Sequence, residues 1–554
     1  MVKEFDTSVL VVGAGPVGLS LAMDLAWRGI DVLVVEIRER GAEPEAKCNH
    51  VSSRTMEIFR RLGLAGKIRN AGLPADHAND ISYRTSFTGT ELSRIPIPCR
   101  RDRFDATGGP DTDWPTAEPP HRINQIYLEP IMFDHAAQMQ NLRFLNRTSV
   151  ESFNQTEDQV ISIAKDLDSG QKIRITSKYV IGADSGRSKI RGMIGAKFDG
   201  DAVIQRVQST FIRAPSLMDL QKTEPAWATF TLNPKRSGNV YAIDGIETFI
   251  VHNYLLDTES DFDAIDRDWS IRTILGVDDS FEYEIIKNMD WNAHRFVADK
   301  FRDRRVFICG DAAHIWVPYA GYGMNAGIAD AMGLSWLMAA ELNGWGTLDI
   351  LDGYERERQP ITEQVSYFVM DHAEAMAGQR GQVPDNIEVL GPEGDAIRAI
   401  IGKKAYDLNV QQYCCGGLNY GYFYDNSPLI IQDGEKPPPY SMSEFTPSTV
   451  PGCRVPHYMI DNGRSLYDAM GPEYTLLRTD PEINIDPLVL AASDKGVPLC
   501  ILDISGEEVN ALYNRKLILS RPDQHIAWRG DKLPENPVGL IETIRGASHE
   551  FKNT

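Results

Sequence analysis

The chain has 554 residues, which suggests about three domains, and its apolar (42%) and charged (24%) fractions are those of an ordinary globular protein. Its formal net charge of −21 repels phosphate backbones and anionic lipid, so we expect neither a nucleic-acid partner nor membrane binding. The sequence has no apolar run long enough to span a membrane, no signal peptide, and no CxxC or zinc-ligand spacing among its seven cysteines. We therefore expect a cytoplasmic protein with reduced thiols and no metal site.

The chain begins with the pattern of a dinucleotide-binding βαβ unit. Hydrophobic patterning predicts a strand, a helix and a second strand over 7–12, 17–27 and 31–35. The turn GAGPVG places Gly13, Gly15 and Gly18 where a tight turn, a close approach to pyrophosphate and close helix packing need them. Glu36 follows the second strand, at the spacing of an acid that accepts hydrogen bonds from a ribose. This unit predicts a dinucleotide site without distinguishing FAD from NAD.

The rest of the chain is predicted in outline. The pattern indicates an insertion at 101–120, groups of strands at 145–181 and 210–256, and a buried strand at 305–309. It also indicates helices at 326–342 and 359–376 and a proline-rich linker at 435–452. Short strands and helices alternate again after the linker.

Two further glycine-containing motifs each follow a predicted strand. GDAAH contains Asp311, and GADSGRSKIR at 182–191 contains Asp184. Both resemble fingerprints of the class A flavoprotein monooxygenases, the p-hydroxybenzoate hydroxylase and phenol hydroxylase family. The resemblance implies that Asp311 hydrogen-bonds the ribityl chain of FAD and that Asp184 serves both FAD and NAD(P)H binding. His314, the last residue of GDAAH, is expected to be structural rather than catalytic.

The resemblance extends to other positions near the flavin. The further cofactor-binding residues that it implies are Lys47, Arg122, Gln125, Pro318, Gly323, Met324 and Asn325. Two positions depart from the family pattern. Lys47 stands near the place where relatives often carry arginine, and Tyr322 stands where many relatives have glutamine.

The resemblance also implies an α/β fold with a Rossmann-type FAD-binding domain, an inserted β-sheet substrate domain as in p-hydroxybenzoate hydroxylase, and a thioredoxin-like C-terminal domain. The expected ranges are 1–75, 100–190 and 290–375 for FAD binding, 76–99 and 191–289 for the substrate domain, 376–449 for a helical segment and linker, and 450–554 for the last domain. Because this last domain lacks CxxC, it cannot perform dithiol chemistry, and we expect it to serve packing or a homodimer.

The family reaction implied by the resemblance uses NADPH or NADH to reduce FAD, after which O2 adds to flavin C4a and the hydroperoxide transfers oxygen to a phenolic ring. A base that removes the phenol proton is expected in the pocket. Asn49 cannot take a proton, whereas the neighbouring imidazole of His50 can, so His50 is the candidate base. Tyr241 and His252, on strands expected to cover the substrate, are weaker candidates.

Three other readings stay open. An NAD-dependent dehydrogenase would explain the first motif but neither the GDAAH segment nor 182–191. A flavin enzyme of different chemistry, such as a halogenase or a quinone-type oxidase, would use the same motifs, although the WxWxIP halogenase signature is missing. A non-catalytic flavin-binding protein is the third. The sequence identifies neither the phenol nor the nicotinamide.

Overall fold

The computed structural model describes residues 3–318, 321–460 and 463–547. In chain order the strands are β1 Lys3–Val12, β2 Val32–Val35, β3 Ile81–Arg84, β4 Glu91–Ile95, β5 Leu142–Leu145, β6 Thr148–Gln155, β7 Val160–Asp166, β8 Lys172–Gly182, β9 Phe198–Arg213, β10 Ala228–Thr231, β11 Gly238–Ala242, β12 Thr248–Tyr254, β13 Glu284–Asn288, β14 Trp291–Ala298, β15 Arg302–Asp303, β16 Val306–Ile308, β17 His314–Ile315, β18 Met459–Ile460, β19 Arg464–Ser465, β20 Tyr474–Arg478, β21 Leu499–Asp503, β22 Leu517–Ser520 and β23 Ile526–Gly530.

The helices connect and cover these strands. In chain order they are α1 Pro16–Trp27, α2 Ser53–Arg61, α3 Ala65–Arg69, α4 Gln125–Ala136, α5 Lys189–Met193, α6 Arg267–Leu275, α7 Tyr322–Leu342, α8 Asp352–Gly381, α9 Pro392–Tyr413, α10 Leu466–Ala469, α11 Asp486–Asp494, α12 Glu507–Leu512 and α13 Pro537–Ile544. Within the described ranges, each helix is too short or too polar to cross a bilayer.

The first sheet has eight strands and a parallel centre in the order β16, β8, β1, β2, β5. Residues Val9–Val12 of β1 pair in register with Val32–Val35 of β2, and these valine-rich strands are buried on both faces. The predicted Rossmann-type unit is therefore confirmed. Because parallel strands end at the same edge, the loops that follow β1, β2, β8 and β16 meet there. This edge carries Gly13, Glu36 and Asp311.

The second sheet has nine strands, and its main order is β17, β14, β9, β12, β11, β10, β3, β4. Side chains alternate between its two faces. Val240 pairs with Val251 on the face that α6 covers, and a side chain at Gly238 on this face would meet Ile274 of α6. Tyr241 follows Val240 in β11, so its side chain lies on the opposite face. This aromatic face is turned toward the first sheet.

Two boundaries differ from the sequence prediction. Strand β14 was expected in the FAD-binding part, which was predicted to resume at 290, but it pairs with β9 in the second sheet. The second lobe therefore extends to Ala298. Segment 376–449 was expected to be a helical segment and linker, but α9 packs on β4 and becomes part of the second lobe.

The C-terminal region forms a four-stranded sheet in the order β21, β20, β22, β23. Only β20 and β21 are parallel in this sheet. Its core continues into that of the first lobe, because Tyr474 lies against Trp336 and Trp345 at ring-centroid distances of 6.2 and 5.9 Å. The two regions therefore share one hydrophobic core.

A buried ion pair adds to this contact. Arg521 is fully buried and donates to both carboxylate oxygens of Glu357 on α8, each at 2.7 Å. It also pairs with Asp523 at 2.7 Å. Although burial opposes ionisation, Arg521 and His525 hold the pKa of Asp523 at about 2. Arg521 therefore pairs with two buried carboxylates at the seam between the domains.

We expect Arg521→Met to lower the free energy of unfolding by about 3–5 kcal/mol, because it leaves Glu357 and Asp523 as buried carboxylates without their cation. Urea denaturation followed by tryptophan fluorescence measures this loss. Arg515→Met is the control, since Arg515 pairs with Glu435 near the surface, where a pair contributes about 1 kcal/mol or less. Equal losses of unfolding free energy in the two variants would contradict the stabilising role of the ion pairs of Arg521 at the seam.

Candidate functional site

The glycine turn between β1 and α1 has the shape of a phosphate cradle. Gly13 has a φ of +110°, and a side chain there would collide with the carbonyl group of Ala183. A side chain on Gly18 would collide with the carbonyl oxygen of Gly13. At Gly15, by contrast, an added methyl group would meet no atom within 4 Å. The start of α1 therefore faces open space, and its first N–H groups fit the pyrophosphate of a dinucleotide.

Glu36 at the end of β2 supports this turn. One carboxylate oxygen accepts from the backbone N–H of Ala14 at 2.7 Å, and the other accepts from the backbone N–H of Arg38 at 2.9 Å. Arg38 also pairs with Glu129 at 2.6 Å. The side chain of Arg38 donates to the same two oxygens at 3.2 and 3.5 Å. Because a carboxylate has about four acceptor positions, the ribose hydroxyls predicted from the sequence would have to replace the longer contacts with Arg38.

The GDAAH turn separates an exposed acid from a buried histidine. The Nε2 atom of His314 lies 2.6 Å from Asp330, whose other oxygen accepts from Arg358 at 2.9 Å. The His314 ring also stacks on Trp316 with centroids 4.5 Å apart. Asp311 keeps an exposed surface, while desolvation by the protein around it raises its pKa against the opposing effects of His314 and Lys47. The turn thus holds His314 in place and leaves Asp311 available to a ligand.

Asp184 has a structural partner set. Its carboxylate accepts from the hydroxyl of Ser188 at 2.5 Å and from the backbone N–H groups of Lys189 and Ile190 at 2.8 and 3.2 Å. These bonds fix the start of α5. A cofactor contact at Asp184 would have to share the carboxylate with this cap.

Asn325 joins the starts of α2 and α7. Its Oδ1 accepts from the backbone N–H of Ser52 at 2.9 Å, and its Nδ2 donates to the carbonyl oxygens of His50 and Gly321 at 3.1 and 2.7 Å. Gly321 has a φ of +59°, and an added Cβ would lie 2.9 Å from the Cβ of His50. The loop that carries His50 is therefore packed tightly against the start of α7.

A short antiparallel contact brings His50 beside Arg122. Val51 and His121 exchange two backbone hydrogen bonds of 2.9 Å. His50 precedes Val51 and Arg122 follows His121, and Nη1 of Arg122 donates a short hydrogen bond to Nδ1 of His50. Because Nδ1 accepts this bond, a neutral His50 carries its proton on Nε2.

His50 and Arg122 form a buried, positively charged pair. The pKa of His50 lies well below its usual value, because burial disfavours the cation and Arg122 adds positive charge nearby. Burial also lowers the pKa of Arg122, against the opposing charge of Asp111. Within the described part of the chain, Arg122 makes no ion pair and its buried Nη2 has no hydrogen-bond partner. The opposing charge of Asp111 is itself paired with Arg103 at 2.7 Å, so among the described residues Arg122 has no anion in direct contact.

Aromatic rings of the second lobe cover this pair. The guanidinium of Arg122 lies 4.6 Å from the ring centroid of Trp227 and 5.8 Å from that of Tyr413. The ring centroids of Trp227 and Tyr241 lie 5.3 Å apart, and those of Tyr241 and His252 lie 5.5 Å apart. Burial lowers the pKa of His252 to about 4. The three candidate bases predicted from the sequence, His50, Tyr241 and His252, are thus connected by side-chain contacts through Arg122 and Trp227.

Two of the aromatic residues that cover Arg122, Trp227 and Tyr413, were not predicted from the sequence. Tyr413 ends α9, in the segment expected to be a helix and linker, and Trp227 precedes β10. Tyr413 also lies 6.3 Å from Phe230 in ring-centroid distance. Aromatic residues in the predicted sheet were the available signal for Trp227. No local pattern identifies Tyr413, because its contact with Trp227 results from the packing of α9 on the second sheet.

The remaining predicted cofactor residues lie near the starts of α4 and α7. The backbone N–H of Gln125 donates to the carbonyl of Lys47 at 3.1 Å, which ties these two segments together. Gly323 and Met324 form the first turn of α7, where a methyl group at Gly323 would meet no atom within 4 Å. Pro318 is exposed and borders residues outside the described ranges.

We expect the purified protein to hold one FAD per chain and Asp311→Ala to weaken its binding. Loss of this acceptor leaves ligand hydroxyls unpaired, at about 1–3 kcal/mol, or roughly 5- to 150-fold in affinity. Fluorescence titration of the flavin-free protein with FAD measures the Kd. Asp494→Ala, which removes an exposed acid at the end of α11, is the control. Equal FAD affinity in both variants would refute the role of Asp311.

Comparisons with known proteins agree with this geometry. Residues 6–369, well over half of the chain, match the family model described as FAD binding domain. The phenol 2-monooxygenase of Pseudomonas sp. (strain EST1001) is 29% identical, and the match covers 98% of this chain and 93% of that protein.

Solved structures match along nearly the whole chain. The rebeccamycin biosynthetic enzyme RebC with reduced flavin superimposes with a TM-score of 0.89 at 30% identity, covering 98% of this chain and 100% of RebC. The flavin-dependent monooxygenase PieE, in complex with FAD and substrate, gives a TM-score of 0.85 at 25% identity, covering 98% and 100%. FAD is the cofactor that both the cradle and these relatives indicate. The chain belongs to the FAD binding domain family and is a class A FAD-dependent aromatic monooxygenase.

Proposed function

We propose that the protein hydroxylates a phenolic ring with O2 and NAD(P)H while FAD is bound. One observation carries this proposal: the buried pair of Arg122 and His50 lies between the flavin-binding edge of the first sheet and the aromatic face of the second. The phenol 2-monooxygenase relative supports the choice of a phenolic substrate.

Arg122 is suited to bind an anionic oxygen. Its Nη2 has no partner among the described residues, and its charge is desolvated by the surrounding rings. A phenolate placed against this guanidinium would supply the missing counter-ion, and the cation would in turn lower the pKa of the phenol. A deprotonated phenol is the electron-rich form that reacts with an electrophilic oxygen. Trp227 and Tyr413 would hold its ring by apolar contact.

His50 is better suited to donate a hydrogen bond than to accept a proton. Its Nδ1 is already bonded to Arg122, and its lowered pKa keeps the ring neutral at neutral pH. The Nε2–H is therefore the group that remains for the substrate oxygen. The base role predicted for His50 stays a prediction that this geometry does not favour. His252, with a pKa of about 4, is also a weak base.

The residues present fit FAD and assign a task to each part of the site. When bound and reduced by NAD(P)H, FAD supplies the oxygen chemistry with O2. The start of α1 and Glu36 would hold the dinucleotide end, and Asp311 would accept from the ribityl hydroxyls. The aromatic face would orient the substrate ring and exclude water from the reacting atoms.

We also propose that residues 450–554 form a thioredoxin-like domain without redox activity. The strand order β21, β20, β22, β23, with α11 and α12 between the first three strands along the chain and α13 at the end, supports this assignment. The missing CxxC excludes dithiol exchange. A homodimer is part of this proposal, and sedimentation of the full chain at micromolar concentration tests it.

Phenolic compounds should stimulate NAD(P)H oxidation, and under ¹⁸O2 the product should gain one labelled oxygen by mass spectrometry. The panel pairs simple phenols, hydroxybenzoates and polycyclic phenols with their methyl ethers, each tested with NADH and NADPH. The ethers are the controls, because they cannot form a phenolate at Arg122. Arg122→Met should lower kcat/KM for the phenol by roughly 10- to 150-fold, the effect of losing one charge-assisted hydrogen bond. Products without labelled oxygen would exclude hydroxylation.

The pKa of His50 leads to a separate prediction on pH dependence. Because the folded-state pKa lies well below 6.5, His50 is neutral throughout the range from about pH 6 to pH 8, and the hydroxylation rate should show no ionisation of His50 there. His50→Gln should therefore lower kcat/KM by a similar factor across this range. An ionisation between pH 6 and 7 that vanishes in the variant, with recovery of rate at high pH, would restore His50 as the base.

A further inference from the structure

The C-terminal domain reaches the active-site loop through α2. This helix begins at Ser53, three residues after His50, and Glu57 lies one turn into it. Arg454 of the C-terminal region donates to both carboxylate oxygens of Glu57 at 2.6 and 2.7 Å. Both side chains are buried, Arg454 at 3% and Glu57 at 8% exposure. Both bonds come from the Nη2 atom of Arg454, and this buried, charge-assisted contact holds α2 close to the C-terminal region.

A second contact acts on the first turn of α2. The guanidinium of Arg54 donates to the carbonyl oxygen of Asp523 at 2.6 Å and to the side chain of Gln524. Gln524 has a φ of +68°, so this loop adopts the left-handed backbone that few side chains favour. Arg54 and Glu57 therefore connect the start of α2 to two separate segments of the C-terminal domain.

The seam around these contacts is incompletely packed. A cavity lies between α2 and the C-terminal domain, and its lining includes Arg54, Glu57, Arg61, Tyr422, Asp523 and Gln524. Ile58, Met332 and Tyr424 also line this cavity, so the gap is bordered by apolar as well as polar side chains. The ion pair of Glu57 and the hydrogen bonds of Arg54 therefore act beside a gap in the packing.

The same domain is anchored on α7 by apolar contact. Trp336, in the second half of α7, packs against Tyr474 of the C-terminal sheet. The first turns of α7 contain Asn325, which bonds both Ser52 and His50. The C-terminal domain thus bridges the two helices whose starts enclose His50.

We propose that the C-terminal domain positions the pair of His50 and Arg122, and that Glu57 and Arg454 are the positioning residues through which it acts. Loss of their ion pair would let α2 shift into the cavity and move His50 relative to Arg122. The catalytic part of this inference rests on the proposed hydroxylation, whereas the positioning of the loop does not. Misplacement of the substrate oxygen would divert reduced flavin toward H2O2 instead of product.

The test compares two isosteric neutralisations in the full-length protein loaded with FAD. Glu57→Gln weakens the pair with Arg454 on α2. Glu357→Gln is the matched control, because Glu357 is also buried and accepts two hydrogen bonds from Arg521, but it lies on α8. Arg521 keeps its pair with Asp523 in this variant, so the loop that contacts Arg54 stays held. FAD content, amide hydrogen exchange of residues 48–61 and H2O2 formed per NAD(P)H oxidised are measured for both. Arg454→Lys, which keeps one charge contact, is a milder second variant.

We expect Glu57→Gln to retain FAD, to exchange amides of 48–61 about fivefold faster or more, and to raise the H2O2 ratio by a similar factor, as expected for one lost buried hydrogen bond. Arg454→Lys should show smaller changes in the same direction, and Glu357→Gln should leave both readouts at the wild-type level. Equal effects of Glu57→Gln and Glu357→Gln would show general destabilisation and overturn the proposal, as would unchanged exchange in Glu57→Gln. If the wild-type protein hydroxylates no phenol, the proposed function fails, while the exchange data still decide the positioning role.

Discussion

A buried guanidinium that contacts no carboxylate within the described ranges is the constraint on which the proposed chemistry depends. Removing an arginine from water costs several kcal/mol unless an anion replaces the lost hydration. Arg122 is only 4% exposed, and the groups that contact it are the neutral His50 and two aromatic rings. The surrounding fold carries this energetic cost in the absence of substrate. In the proposed function, binding of an anionic oxygen would recover this energy, so the same feature would give both affinity and selection of the phenolate form.

The surrounding architecture keeps that cation in place. Arg122 follows His121, whose backbone pairs with Val51, and this contact is closed from the other side by Asn325 at the start of α7. The flavin-binding edge and the cation therefore share the same backbone segments. A shift of either segment would change the cofactor site and the substrate site together, which explains why the loop around His50 contains so little free space.

The sequence allowed prediction of those parts whose geometry is local. The turn at Gly13–Gly18 and the acid at Glu36 depend on neighbours within one βαβ unit, and the structure places them at one sheet edge as expected. The substrate wall could not be predicted in the same way. Tyr413 reaches Arg122 across almost three hundred residues of chain, because α9 packs on the second sheet. The pKa of His50 was equally hidden, since it follows from burial and from a neighbouring cation that the sequence does not place there.

The flavin side and the substrate side of the site are built from different parts of the fold. The flavin side is built from strand ends and helix starts, where added side chains at Gly13 and Gly18 would collide with backbone atoms. The substrate side is built from side chains on a sheet face and on α9, which can change without disturbing the flavin cradle. Arg122 and His50 connect the two sides. In the proposed function, a change in ring specificity would arise at Trp227, Tyr241 or Tyr413, whereas the choice of an anionic oxygen would depend on Arg122.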